Sequence, residues 1–434
     1  MNPVIDSADL FAGGGGTSTG LIMAAKESGK SVNLVAINHD KFALATHQFN
    51  HPWARHILTE LQAVKPSEAV PEGRLDILVA SPECTFHSRA LGGKPKNDQS
   101  RSSAWYLERW LKDLEVKNVL VENVPEFRDW GPLDSQNMPI RGKKGQIFRL
   151  WLHMFRKHGY NVDYRVLNAA DYGDATTRKR LYVVARLGED PINWPHPSHS
   201  KDPSNGIRKW RAAREIIDWT VPGKSIFTRD KPLSENTMKR IIAGLKKFSS
   251  VELQPFIVLL EHSMLNPDQR VRDINVPLPT ITSARGGAIA VAQPFILPVE
   301  GFYRGNLPKD VEDPIGAITQ RGYGSLIEPY LIQYNGGSDA SRVDYPIRTI
   351  TTKDRYALVQ PELEIKGKAY RLEILYRMLK TDELAAAMGF PSDYMFKGNR
   401  NQVVKQIGNA VAVNVAKALI SNLIDARGHQ EVIA

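Results

Sequence analysis

The sequence holds a single cysteine, Cys84, in 434 residues. One thiol excludes an intrachain disulfide and a cysteine-built zinc site, and it fits a reducing cytoplasm. Residues Met1 to Asp9 lack the basic start and apolar core of a secretory signal. No run approaches the roughly 20 apolar residues of a membrane span, so no membrane partner is expected. No residue pattern asks for a metal. Acidic residues are in short supply: 47 Asp and Glu face 57 Lys and Arg, a formal net charge of +10. That excess suits a polyanionic partner. The length allows two domains.

The scarce thiol stands in a telling place. Leu75-Asp76-Ile77-Leu78-Val79 is a short apolar run that reads as a buried strand, and Ala80-Ser81-Pro82-Glu83-Cys84 follows it directly. From Ala90 to Ser103 the chain is rich in Gly, Lys, Ser and Arg, the composition of a loop. A lone cysteine is usually a small buried hydrophobe. At a strand end in an α/β sheet, where ligands bind, it reads instead as a thiolate nucleophile.

Around it the chain runs as strands and helices in alternation. Val4 to Phe11 is apolar, Ala12-Gly13-Gly14-Gly15-Gly16 is a glycine run, and Leu21 to Ala25 is helical in composition. This is either a simple tight turn or the strand–turn–helix of a nucleotide-type site. Val32 to Ile37 predicts a second strand ending in Asn38-His39-Asp40, where a ribose hydroxyl is normally gripped. Val116 to Val121 predicts another, ending in Glu122-Asn123-Val124-Pro125. Taken alone, Glu122 is a helix cap or a functional acid. Gln146 to His158 has helical spacing, and Arg165 to Ala170 and Leu181 to Ala185 read as strands flanking Thr176-Thr177-Arg178-Lys179-Arg180. Tyr370 to Met388 is helical in pattern, and Gly408-Asn409 reads as a turn before a final helix to about Ala426.

The texture changes after residue 187, where Trp194-Pro195-His196-Pro197 opens proline-rich sequence. Leu233 to Phe248 is a basic helix candidate. From Pro255 to Pro361 a unit recurs at a spacing of about 35 residues. Its first half is Pro255-Phe256-Ile257-Val258, Pro294-Phe295-Ile296-Leu297 and Pro329-Tyr330-Leu331-Ile332. Its second half leads into loops carrying Arg285, Arg321, Lys353 and Arg355. Short β-modules presenting basic turns suit phosphate and base contacts, and equally suit solvated hairpin tips.

These pieces, in this order, resemble the DNA cytosine-5 methyltransferase family. Asp9-Leu10-Phe11-Ala12-Gly13-Gly14-Gly15-Gly16 is similar to its cofactor motif, Ser81-Pro82-Glu83-Cys84 to its Pro-Cys motif, and Glu122-Asn123-Val124 to its Glu-Asn-Val motif. Thr176 to Arg180 resembles the Gln-x-Arg-x-Arg motif with Thr176 for the glutamine, and Gly408-Asn409-Ala410-Val411 the late Gly-Asn-x-Val motif. Thr381-Asp382-Glu383 through Gly389-Phe390-Pro391 resembles the penultimate motif. The resemblance covers residues 4 to 186 and 370 to 425. It implies an α/β fold, a Rossmann-like S-adenosylmethionine-dependent methyltransferase domain with a smaller β-rich target-recognition domain.

The implied boundaries are a catalytic domain at 1–187, a target-recognition domain at 188–368, and a return at 369–434. The implied reaction moves a methyl group from S-adenosyl-L-methionine to C5 of a flipped cytosine in duplex DNA, leaving S-adenosyl-L-homocysteine, in a restriction–modification setting. Cys84 is the nucleophile, Glu122 holds N3, Arg178 steadies O2 of the ring, and Arg180 does this or holds phosphate. The cofactor falls to Phe11, Ala12, Gly13, Gly14, Gly15, Asn38, His39, Asp40, Pro82, Asn409 and Val411. DNA falls to Ser88, Arg89 and Arg101 of the loop after Cys84 and to Arg285, Arg321, Lys353 and Arg355. The chain is expected to act on double-stranded DNA as a monomer. An RNA cytosine methyltransferase with the same chemistry, or a catalytically silent nucleic-acid-binding homologue, is the alternative.

Overall fold

The computed structural model describes residues 2–83, 103–136, 138–204, 206–221, 224–227, 230–233, 256–259, 271–280, 289–298, 330–333, 339–341, 356–359, 363–365 and 368–424. The chain divides into two units, one of residues 1–218, 275–288 and 379–434, the other of 219–274 and 289–378.

The first unit is built on a seven-stranded sheet. Its strands are β1 (Val4–Leu10), β2 (Ser31–Asn38), β3 (Arg55–Leu58), β4 (Arg74–Ala80), β5 (Glu115–Asn123), β6 (Tyr160–Asn168) and β7 (Lys179–Leu187). Their order is β3-β2-β1-β4-β5-β7-β6, parallel except that β7 runs antiparallel between β5 and β6. The chain reverses its winding between β1 and β4, so the ends of these two strands flank the crevice where α/β folds bind ligands. Leu75, Ile77, Leu78 and Val79 of β4 are buried, as are Val119, Leu120 and Val121 of β5. Covered on both faces, such strands read as continuous apolar runs rather than alternating ones.

Helices α1 (Gly16–Glu27), α2 (Lys41–Asn50), α3 (Pro66–Ala69), α4 (Tyr106–Asp113) and α5 (Gln146–Lys157) connect the strands. The core is rich in aromatics: Trp151 stands edge-on to Phe127 at 5.4 Å and to Phe155 at 4.9 Å, and its indole donates to Ala104 O. Each edge-on pair adds about 0.5–1.5 kcal/mol beyond area burial. Three helices close the chain, α6 (Thr381–Ala387), α7 (Arg400–Asn409) and α8 (Val413–Ile424). The span Arg400–Ile424 is long and apolar enough to cross a membrane by composition alone, but it is two helices broken at 410–412 and 61% of its apolar window is buried. A small parallel pair, β8 (His199–Ser200) and β9 (Arg208–Lys209), completes this unit.

The second unit, by its described elements, is all β. β10 (Lys224–Ser225), β11 (Phe256–Leu259), β12 (Val271–Asp273) and β13 (Ile289–Pro298) share a sheet with β17 (Leu363–Ile365) and β18 (Lys368–Met378). β14 (Tyr330–Gln333), β15 (Asp339–Ser341) and β16 (Tyr356–Val359) form a separate one. The three runs of the repeat thus fall on β11, β13 and β14; β11 pairs antiparallel with the start of β13, Ile289–Ala292, rather than with the run at 294–297, and β14 lies in the other sheet.

Three expectations change. Tyr370 to Met378 is strand, not helix, because β18 pairs with β13 from Ala290–Met378 to Pro298–Tyr370, and the helix starts only at Thr381. Gly408 and Asn409 end α7 instead of forming the turn, which Ala410 to Ala412 makes. The division of the chain falls at 218/219 and 378/379 instead of 187/188 and 368/369. Residues 275–280 also return to the first unit, where Leu278 N donates to Ala175 O at 2.7 Å and Thr176 Oγ1 to Pro279 O at 3.0 Å. The candidate helix from Leu233 to Phe248 lies outside the described residues apart from Leu233.

Candidate active site

The glycine-rich turn leaves β1 at Leu10. Phe11 takes φ +64°, the one left-handed non-glycine residue among those described. A bulky side chain there costs about 1–3 kcal/mol and persists where the surroundings dictate it. Ala12 N donates to Ile37 O and Gly15 N to Ala12 O, both at 3.0 Å, closing the turn. Gly15, at φ +89°, caps α1, and a Cβ there would run into the Tyr394 hydroxyl. That hydroxyl donates to Gly14 O at 2.6 Å, and Thr19 Oγ1 donates to Gly15 O at 2.7 Å. The carbonyls are thus tied back from behind. Val411 packs its carbonyl against Gly16, so the late motif does reach the glycine turn.

At the end of β2, Asn38 Oδ1 accepts from Asp40 N at 2.8 Å. Asp40 caps α2 by accepting from Phe42 N and Ala43 N, and lies 3.2 Å from Lys405 Nζ. Partial burial pushes the Asp40 carboxyl up, and the helix N–H groups and Lys405 outweigh it, leaving it below the ordinary range. His39 Nδ1 is 3.6 Å from Glu60 Oε2 just after β3. In sheet order the ends of β3, β2, β1 and β4 thus carry Glu60, Asn38, Phe11 and Pro82.

The acid comes from β5. Glu122 pairs with Tyr182 of β7 in register, so Arg180, two residues before Tyr182, shares its face. Arg180 Nε lies 3.1 Å from Glu122 Oε1. Burial drives the Glu122 carboxyl above its ordinary value, and Arg180 and Arg178 pull it back only in part. Asn123 Nδ2 donates to Pro82 O at 3.1 Å and its Oδ1 accepts from Val124 N at 2.8 Å. One side chain therefore locks the β5 end to the segment that enters Cys84. Arg178 is buried and its Nη1 donates to Gly408 O at 3.0 Å. Arg180 faces the acid, and Arg178 holds the late motif, 230 residues on.

Cys84, Ser88, Arg89, Arg101, Arg285, Arg321, Lys353 and Arg355 lie outside the described residues. Asn409 is exposed at the end of α7, and Val411 is buried. Three residues at the site were not foreseen: Glu60, Tyr394 and Gln406. Glu60 follows a strand of only four residues, two of them Arg55 and His56, so no apolar run marked its place. Tyr394 and Gln406 meet the turn from the far end of the chain, where no local pattern points to them.

The profile of the family described as C-5 cytosine-specific DNA methylase matches residues 5–425. The chain belongs to this family. It is 31% identical over 199 residues to the type II methyltransferase M.XorII of Xanthomonas oryzae pv. oryzae, covering 44% of this chain and 42% of that one. It is 22% identical to M.SacI of Streptomyces achromogenes over 445 residues, 99% of this chain and 95% of that one. The match to M.XorII thus spans under half of that relative. Among solved structures, DNMT2 of Spodoptera frugiperda covers 97% of this methylase-family chain with a TM-score of 0.54 at 17% identity, 99% of that chain being matched. The Entamoeba histolytica methyltransferase EhMeth covers 98% at a TM-score of 0.51 and 14% identity, again with 99% of that chain matched. At such identities the likeness concerns the methyltransferase fold.

Proposed function

We propose that this chain is a DNA (cytosine-5-)-methyltransferase that acts on a flipped cytosine of duplex DNA through Cys84. The observation that carries the reading is the locked pair of strand ends: Glu122 beside Arg180, with Asn123 bonded to the Pro82 carbonyl two residues before the thiol. An acid, a cation and a nucleophile-bearing segment are what addition to a pyrimidine ring requires. The basic excess and the type II relatives favour DNA over RNA.

Cys84 adds as thiolate to C6, and the displaced electron pair moves through the ring while Glu122 gives its proton to N3. A carboxyl lifted above its ordinary value by burial holds that proton more firmly than a free glutamate does. Arg180 steadies the acid and meets ring O2. Loss of the C5 proton to water after substitution expels the Cys84 thiolate, and N3 returns its proton to Glu122, which restores the ring. S-adenosyl-L-methionine, when bound, supplies the electrophilic methyl group. Phe11 to Gly15, Asn38, Glu60, Pro82 and Val411 would hold it. Gln406 supports the fit: its buried Oε1 has no hydrogen-bond partner among the described residues and lies 3.6 Å from where a Gly14 Cβ would stand. Such an acceptor suits the ammonium end of an amino acid. The flipped base costs a few kcal/mol of stacking, and Arg89 and Arg101 after Cys84 would neutralise phosphates around it. A cytoplasmic setting and action as a monomer belong to the same reading.

The test is trapping on DNA that carries 5-fluorocytosine, with S-adenosyl-L-methionine present. A covalent adduct on DNA that disappears in Cys84→Ala is expected. Trapping on RNA alone, or on neither, overturns the proposal.

A further inference from the structure

We propose that His47, Ser18 and Asp9 form a positioning relay that fixes the glycine-rich turn for the methyl donor, so that a buried histidine sets cofactor affinity without touching the ligand. The inference rests on the cofactor-site reading above. Its residues come from three elements: Asp9 near the end of β1, Ser18 in the first turn of α1, and His47 on α2, with His56 of β3 behind them.

Ser18 Oγ donates to Asp9 Oδ2 at 2.6 Å. His47 Nε2 lies 2.9 Å from the same hydroxyl oxygen, and His47 Nδ1 lies 2.8 Å from His56 Nε2. With Asp9 ionised, the one proton of the serine hydroxyl goes to Asp9, so His47 donates from Nε2 to Ser18 Oγ. A neutral His47 then accepts at Nδ1 from His56 Nε2–H. The chain runs one way, His56 to His47 to Ser18 to Asp9.

Asp9, Ser18 and His47 are almost completely buried, so each bond acts in a dry, low-dielectric place. Burial pushes the Asp9 carboxyl up to about 7, with Ser18 opposing, and burial beside His51 and His56 holds His47 well below its ordinary value. His47 is therefore neutral, as the relay requires. The groups facing it are His51 from its own helix, His56 from β3, Ser18 from α1 and, through Ser18, Asp9 from β1. His51 in turn meets Thr19 at 3.4 Å and the Tyr394 ring. No group of His, Cys, Asp or Glu able to hold a metal is present among the described residues; the ring nitrogens of His47 are spent on Ser18 and His56.

Asp9 and Ser18 are the two ends of the turn, nine residues apart. Their bond closes a segment that contains a left-handed Phe11 and few backbone bonds of its own. A hydroxyl bonded only to Asp9 would keep rotational freedom. The imidazole fills its second site and removes that freedom, so the turn is preset before a ligand arrives.

The experiment titrates S-adenosyl-L-homocysteine calorimetrically into the full chain and into Ser18→Ala, His47→Leu, the double variant and His47→Gln. Each single truncation is expected to weaken binding about tenfold, the gain of one well-made buried hydrogen bond. The double variant should be no weaker than either single one, because both cut the same relay. His47→Gln, which keeps an amide donor, should restore affinity; loss of packing alone would not be rescued this way. Ring-nitrogen NMR of the wild type should place the His47 proton on Nε2. Wild-type affinity in Ser18→Ala, additive losses, or a proton on Nδ1 overturns the relay. Should His47→Leu fail to fold, Ser18→Ala, His47→Gln and the spectrum decide. A folded wild-type chain that binds none of the ligand sinks the cofactor-site reading, and the spectrum still decides whether the relay exists.

Discussion

Glu122 and the two arginines near it divide labour by where their hydrogen bonds go. Arg180→Met removes the cation 3.1 Å from the acid, so Glu122 should hold its proton to still higher pH. The expected result is a slower enzyme whose alkaline limb of kcat/KM moves upward. Arg178→Met also frees the Gly408 carbonyl; it should weaken S-adenosyl-L-homocysteine binding and move that limb upward by less than Arg180→Met does, Arg178 being the weaker of the two cations acting on Glu122. Glu122→Gln should lower kcat by about 10²–10⁴ in single-turnover assays. Its effect on stability follows from sign. The folded carboxyl titrates above its ordinary 4.5, so the folded chain binds more protons than the unfolded one as pH rises through that interval, and stability falls there. Urea unfolding of Glu122→Gln against wild type as pH rises above 4.5 should show that slope removed. Sequence alone made these residues visible, since an acid ending an apolar strand and arginines entering another are local signals. Their division of labour was hidden, because Gly408 is a partner that only the folded chain brings near.

At the scale of elements, α1 and α8 lie unusually close. A Cβ at Gly20 would come within 2.8 Å of Ala416 Cβ and Lys417 N. Gly20→Ala should therefore cost about 1–3 kcal/mol through overpacking, read as a lower midpoint in calorimetry. Gly29, where an added Cβ meets nothing within 4 Å, should lose only about 1–2 kcal/mol from its left-handed backbone. Helix α2 adds a pH dependence. Burial, with His56 nearby, lowers His51 to about 4 from an ordinary 6.5. The stability tied to it is complete above pH 6.5 and lost as pH falls toward 4, about 3 kcal/mol in full. His51→Gln should flatten the acid side of the unfolding curve. The buried parallel strands were legible as apolar runs. β18 was not: Leu372, Leu375, Tyr376 and Leu379 fall at helical spacing, and the strand forms because β13, some 80 residues earlier in sequence (Ala290 facing Met378), offers nine paired positions. Long-range pairing overrides a local period.

Over the whole molecule, the proposed activity on DNA carries a salt signature. With a net charge of +10, binding to a duplex should weaken steeply as salt rises. Replacing Arg285, Arg321, Lys353 and Arg355 by Gln should reduce the slope of log K against log salt by about 0.9 for each phosphate that is no longer neutralised. The α/β architecture and the order of its motifs were readable along the chain, since each motif sits at a strand end. The boundaries were not, because residues 275–280 rejoin the first unit by bonds from Thr176 and Leu278 that no compositional change announces. That same discontinuity governs synthesis. Tyr394, Gly408 and Val411 reach the glycine turn and Arg178 from the last tenth of the chain. A ribosome that has made the first two hundred residues has therefore made every strand of the large sheet but not a finished pocket. The nascent protein cannot complete the glycine turn until residues 394–411 have emerged.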